Sequence, residues 1–316
     1  MNDIRGYAQC QDKQIKRVYN TGMTRIISMP QNMDQIRTYV EAGCDLIMIG
    51  ERFHSARCNG IFNVEELPEA VKLIHEMGAE AGIMMNRLYM QDEVHLVPEY
   101  LKQIQEWGFD VIYYNDPAVY VWAKKLGIEN HLMYQPDTLM TNSMDVQFML
   151  DRGIQCVMLS KEMTCEEMKE IAMKVKGHIG VIIHGYLNMS YSKRKMLTNY
   201  FKVLGEERRF EREDLVLIES TREGRMPVYE DDKGTHIFTD YMLEGFAEVK
   251  QLVDAGVQDL MVESLFMQCD EVCDAIRGYK DILNGADAGE IEKAYRAAHD
   301  LPLSDGYMYQ KTNLVK

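Results

Sequence analysis

The chain has 316 residues, of which 46% are hydrophobic, with a net charge of −15. That much apolar sequence fills one large core, so one soluble globular domain over residues 1–316 is expected, and the acidic balance repels nucleic acid at long range. No run approaches the roughly 18 to 20 apolar residues of a membrane span, and the opening MNDIRGYAQCQDKQIKRVYN lacks the apolar centre of a signal peptide, which predicts a cytoplasmic protein.

In chain order, a short apolar run over 24–29 is followed by a helical stretch over 32–42, which ends at Gly43 and leads into a second apolar run over 45–50. The same junction recurs. EAGCDLIMIG, EMGAEAGIMMN, EWGFDVIYYND, DRGIQCVMLS and DAGVQDLMVES each carry a glycine at the helix stop, where a residue without Cβ accepts positive φ at little cost. Further strands are expected at 80–86, 110–115, 131–135, 155–160, 179–184 and 257–263. Helices are expected at 64–77, 92–107, 117–126, 142–152 and 165–176. Short bounded runs rich in Ile, Val, Leu and Met suit parallel strands covered on both faces.

Eight such strands predict a (β/α)8 barrel of the TIM type. A doubly wound open sheet is the alternative, but no GxGxxG turn follows the first strand. Residues 202–240 form a polar insertion between the seventh and eighth strands, expected to rise over the barrel mouth. Within it MPVYEDDKGTHIF reads as a hairpin turning at Asp231-Asp232-Lys233-Gly234. Residues 300–316 form the C-terminal tail, of which SDGYMYQKTNLVK is aromatic and basic.

Chemistry in a barrel is carried by the C-terminal ends of its strands. Those ends carry Arg52 and Arg57 after the second strand, Asn86 after the third, Asp116 after the fourth, Gln135 after the fifth and Glu162 after the sixth. His184 ends the seventh and Glu263 the eighth. An imidazole, carboxylates and arginines together suffice for acid–base work and for holding an anion. We expect Arg57, His184 and Glu263 to be catalytic, and Arg52, Asn86, Asp116, Gln135 and Glu162 to line the substrate site. Asp116 before Pro117 is equally a good helix cap.

Residues 190–225 hold nine Lys/Arg against seven Asp/Glu, so this segment is +2 and the remainder −17. Lys193, Arg194 and Lys195 are expected to meet phosphate or an acidic partner. The seven cysteines are scattered without CxxC pairs, which supports neither a disulfide framework nor a zinc ribbon. Cys269 and Cys273 lie one helical turn apart and read as ordinary thiols. GxSxG, HExxH and the P-loop pattern are missing.

Across residues 24–283, GERFHSAR after the second strand, HGYLNMSYS after the seventh, and AGVQDLMVES leading into CDAIRGY resemble the collagenase-like peptidase family U32. The resemblance to its short branch implies non-proteolytic action in forming 5-hydroxyuridine at the wobble position of tRNA, as an enzyme or as a subunit of one. It implies tRNA and a longer paralogue as partners, with a homodimer as the alternative assembly, and prephenate as co-substrate. A collagenase-like peptidase and a catalytically silent scaffold subunit are the other readings. Members of the family often hold a [4Fe-4S] cluster on four cysteines. Here the first such position is Asn188 and the Ser-Gly-x-Cys segment reads Ser192-Lys193-Arg194-Lys195. Neither amide nor ammonium replaces thiolate, so no iron–sulfur cluster and no other metal is expected.

Overall fold

The computed structural model describes residues 24–206, 215–220 and 224–311. Its first half alternates strand and helix without interruption. β1 (Arg25–Ser28), α1 (Met33–Ala42), β2 (Leu46–Ile49), α2 (Leu67–Glu76), β3 (Glu80–Met85), α3 (Val97–Trp107) and β4 (Val111–Tyr114) follow one another. α4 (Pro117–Leu126), β5 (Leu132–Tyr134), α5 (Ser143–Leu150), β6 (Cys156–Met158) and α6 (Cys165–Lys174) continue the pattern. The helix stops are of the kind the junctions predict: Gly43 closes α1 at φ 110° and returns its N–H to Tyr39 and Val40 carbonyls.

β7 (His178–Ser192) departs from that rhythm, being far longer than its predecessors. Beyond it lie α7 (Met196–Leu204), β8 (Val216–Leu217), β9 (Met226–Asp231) and β10 (Gly234–Glu244), then α8 (Val249–Ala255) and β11 (Asp259–Val262). α9 (Cys269–Leu283), α10 (Ala288–Ala298) and β12 (Leu303–Ser304) complete the described chain.

Strands β1 to β7 pair in sequence and in parallel, and β11 closes the ring by pairing with both β7 and β1. The fold is therefore an eight-stranded (β/α)8 barrel, its strands buried on both faces. The interior packs large side chains beside small ones: a Cβ on Gly82 would lie 2.1 Å from Met48 Sδ, and one on Gly180 would lie 2.4 Å from Met158 Sδ. Methionines thus fill the space that these glycines leave.

The apolar run of β7 does not end at His184 as its sequence suggests. His184 is the last residue paired with β11, through Val262, and from there the strand leaves the barrel to pair antiparallel with β10 as far as Ser192 and Thr235. β10 pairs with β9 across the Asp231–Gly234 turn, and Arg52 reaches that turn at Asp232, 3.1 Å away. The extension therefore leans over the β2–α2 loop at the barrel mouth. Residues 207–214 and 221–223 of the expected insertion lie outside the described residues, as does Cys10. The described part of the tail, residues 300–311, returns across the body: β12 pairs with β10, and Met308 is buried, while residues 312–316 lie outside the described residues.

Candidate functional site at the barrel mouth

The β2–α2 loop is pinned from below by the end of β3. Ser55 Oγ donates to the Met84 carbonyl at 2.6 Å, and Asn86 Oδ1 accepts the Ala56 N–H at 2.9 Å. Asn59 Nδ2 ties the far side of the loop to the Met29 carbonyl. Between these anchors Arg57 adopts φ 55°, a left-handed conformation that is uncommon without glycine, and is only 8% exposed. Its guanidinium is aimed across the mouth at the β5–α5 loop, where Asp137 also has a positive φ of 63°.

Arg57 Nη2 donates to both oxygens of Asp137 at 3.3 Å, and Lys161 Nζ reaches Asp137 Oδ1 at 3.4 Å. The Lys161 side chain is 4% exposed. Together with Asn86, Tyr113, Gln135, Asn188 and Glu263 these residues line a cavity of about 20 Å³. Two of its polar groups find no partner among the described residues: Arg57 Nη1 and Gln135 Nε2, both buried. Gln135 spends its other end on the Asp137 N–H at 2.5 Å. Strained backbone and unpaired buried donors each cost free energy, and their coincidence marks a site rather than a packing accident.

Charge in the cavity follows from this crowding. Burial pushes the Glu263 carboxyl up to about 7, because the pull of Arg57 and Lys161 only partly offsets it and Asp137 pushes the same way. Burial raises Asp137 too, but there Arg57 and Lys161 outweigh it and the net shift is downward. Burial depresses Lys161, with Asp137 restoring part of the loss and Arg57 opposing it. Below neutral pH the cavity therefore holds two cations, one carboxylate and one carboxylic acid, an excess of one positive charge. It is built to receive an anion.

The expected residues fall into three groups. Arg57, Asn86, Gln135 and Glu263 converge on the cavity. Arg52 lies outside it on the exposed rim, paired with Asp232, and lines an outer cavity of about 260 Å³ that shares Arg57 as a wall. Asp116 and Glu162 do not reach the inner cavity. Asp116 accepts the N–H groups of Ala118 and Tyr89, so its oxygens cap α4 and fix the β3–α3 loop. Beside Glu162 it is Lys161 that turns inward.

His184 requires a correction. A register shift between the Met261–Ile182 and Val262–His184 pairs inserts one extra residue into β7, so the alternation that sends Ile182 into the cavity does not bring His184 after it. Its ring instead faces α9 and α10, with Nδ1 3.0 Å from Tyr279 Oη and Nε2 3.2 Å from Tyr295 Oη. It is fully buried beside Phe246, and burial, with a smaller push from His299, takes its pKa down to about 3. A neutral, fully enclosed imidazole anchors β7 to the helical layer and does not line the inner cavity. The glycine after it serves a close approach of backbones. Gly185 has φ 106°, and a Cβ there would lie 2.1 Å from the Glu263 carbonyl oxygen. Only glycine lets β7 cross β11 so closely.

Of the three cations after β7, Lys193 is tied to the Leu88 carbonyl at 3.1 Å and to Glu93 at 3.5 Å, whereas Arg194 and Lys195 are exposed on the rim. Asn188 lines the inner cavity. The six described cysteines are not gathered there. The one set of three metal-capable side chains among the described residues, Cys156, His178 and Asp259, lies at the barrel floor. Both oxygens of that Asp259 are already held by Arg25.

Residues 31–314 match the model of peptidase family U32. The chain belongs to that family. Among its U32 relatives, it is 26% identical to tRNA hydroxylation protein P2 of Bacillus subtilis, over 82% of this chain and 85% of that one. It is 22% identical to tRNA hydroxylation protein P1 of the same organism, over 85% of this chain and 65% of the longer relative. Among solved structures it is similar to the U32 peptidase Mk0906, at 14% identity and a TM-score of 0.49, covering 77% of this chain and 93% of that one.

Proposed function

We propose that this U32 protein acts without proteolysis in tRNA hydroxylation, forming 5-hydroxyuridine at the wobble position together with a longer paralogue. The observation that carries this reading is the cationic cavity beneath an exposed basic rim, in a chain whose relatives include two tRNA hydroxylation proteins. Arg57, Gln135 and Asn86 hold a small anionic co-substrate, for which prephenate is the candidate. Glu263 exchanges a proton with it. Arg194 and Lys195 meet RNA phosphate, with the exposed Tyr200 nearby in the chain to stack on a base. Among the described residues the inner cavity is lined by no Ser, Thr, Cys or His, which leaves a peptidase there without a serine, threonine or cysteine nucleophile and an imidazole base.

The residues at the family's cluster positions, Asn188 and Lys195 among them, do not fit a [4Fe-4S] cluster, because neither amide nor ammonium replaces thiolate. The longer paralogue is the proposed partner. Val203 and Leu204 on α7 and Val216 and Leu217 on β8 are exposed apolar side chains open to it. Nucleoside mass spectrometry of tRNA from a deletion strain tests the reading, which requires hydroxylated uridine to fall and to return with the wild-type gene. Unchanged tRNA in a strain that also lacks the paralogue would sink it.

A further inference from the structure

Lys161 is a cavity residue whose chemistry the proposed function leaves unused. A lysine is ordinarily a solvated surface charge, yet the side chain of this one is 4% exposed, and its partner among the described residues is a single Asp137 oxygen at 3.4 Å, long for a hydrogen bond. That oxygen is shared with Arg57. An ammonium so poorly paired and so enclosed gives up its proton more readily than one in water, and a neutral buried amine is a nucleophile toward carbonyl carbon.

Three neighbours complete a recognisable chemistry. Arg57 Nη1 and Gln135 Nε2 are buried donors without acceptors, and both residues line the chamber that Lys161 faces. Two unpaired donors in one chamber suit the two oxygens of a carboxylate. Glu263, whose carboxyl keeps its proton up to about neutral pH, lines the same chamber and can deliver that proton to a leaving hydroxyl.

We propose that Lys161 forms an imine with a small 2-oxo carboxylate, held by its carboxylate on Arg57 and Gln135. This rests on the reading of the cavity as the co-substrate site. The neutral Nζ adds to the 2-oxo carbon, and a nitrogen proton moves to the oxygen to give a carbinolamine. Glu263 then protonates the hydroxyl, water departs, and the nitrogen lone pair completes the C=N bond. The products are iminium, glutamate carboxylate and one water, so no oxidant or reductant enters. The inner chamber, at about 20 Å³, has room for about one water as it stands. A three-carbon acid therefore enters from the outer cavity of about 260 Å³, taking Arg57 from Asp137 and joining the two spaces.

The test uses the full-length protein with pyruvate and cyanoborohydride, which reduces iminium to a stable N-carboxyethyl lysine located by peptide mass spectrometry. Lys161 should be modified at least about tenfold faster than exposed lysines such as Lys102 and Lys250, a ratio that a modest fall in amine pKa supplies. Unfolding in urea should erase the preference. Acetaldehyde, which lacks the carboxylate, should show none. Equal labelling of Lys161 and surface lysines in the native protein overturns the proposal, and this comparison needs no variant to fold. Lys161→Arg, which keeps the charge beside Asp137, should lose the adduct, and Glu263→Gln should slow it. Selective labelling without any change in tRNA nucleosides would sink the tRNA reading alone, whereas nucleoside loss without labelling would sink the imine alone.

Discussion

Floor and mouth of this barrel each bury an arginine against carboxylates, with opposite geometry. At the floor Arg25 Nε and Nη2 donate to the two oxygens of Asp259 at 2.8 Å each, Nη1 is taken by Glu80, and His178 closes on Asp259 at 3.1 Å. Burial works against both charges, yet the pairing outweighs it: Asp259 is held well below the usual carboxylate range and Arg25 above its own. At the mouth Arg57 offers one nitrogen to Asp137 at 3.3 Å, leaves the other unpaired, and both partners sit on left-handed backbone. A buried charge whose bonds are all made is costly to unpair; one held loosely and under strain keeps interaction energy in reserve for a ligand.

The largest effect should come from the floor. Asp259→Ala strips Arg25 of its bidentate partner inside the protein and should cost about 3–5 kcal/mol, read as a shift of the urea midpoint at unchanged m-value. A loss under about 1 kcal/mol would mean the floor pair is as replaceable as a surface one.

The contrast also explains what could be read before the structure. Strands are legible because their residues are buried on both faces, which leaves unbroken apolar runs between a helix-stopping glycine and a polar end. The cavity residues Arg57, Asn86, Gln135 and Glu263 are legible for the same reason, lying where those runs stop. Asp137 and Lys161 escape because their inward turn depends on local backbone: a positive φ at Asp137, and at Lys161 the path of a loop with no periodicity. His184 misleads because strand alternation cannot foresee an inserted residue one position before it. The continuation of β7 through Tyr186 to Ser192 is equally hidden, since its pairing partner β10 lies some fifty residues further on, about the separation at which local pattern says nothing.

The second effect belongs to the mouth and should appear in binding before stability. Arg57→Ala leaves Asp137 with Lys161, so its stability loss should stay near about 1–2 kcal/mol. Affinity for prephenate or pyruvate should fall by about 1.5–3 kcal/mol, roughly one to two decades. Titration calorimetry on the same preparation used for urea unfolding separates the two. Equal stability losses for Arg57→Ala and Asp259→Ala, with binding intact, would erase the distinction between floor and mouth.

A smaller, pH-dependent effect sharpens it. Because the folded pKa of Glu263 is raised to about 7, the native protein holds a proton there that the unfolded chain has already released. Its contribution to stability is therefore complete below the unfolded carboxylate range and is lost as pH rises through about 7. Anion affinity should follow the same direction, since ionising Glu263 cancels the cavity's excess positive charge, with a limiting slope of about tenfold per pH unit. Glu263→Gln should bind with little pH dependence across that window. A wild-type profile that is flat from about pH 6 to 8 would show that Glu263 does not titrate in that window in the native protein.

The weakest effects should lie on the rim, where the charges are solvated and the floor-to-mouth gradient of enclosure reaches its end. Each cation that meets single-stranded RNA contributes about −0.7 to the slope of log K against log salt. Arg194 and Lys195 are exposed, so removing both should flatten the slope by about 1.4. Lys193 is already engaged by Glu93 and by the Leu88 carbonyl, and binding phosphate would require giving those up. Lys193→Ala should therefore change the slope less than either neighbour does. If it changes the slope as much, the Glu93 pair opens when RNA binds, and the loop that carries Arg87 and Tyr89 beside the mouth moves with it. If none of the three substitutions alters the slope, the phosphate contacts lie off this rim, and the cationic cavity serves a small anion with no RNA strand laid across Arg194 and Lys195.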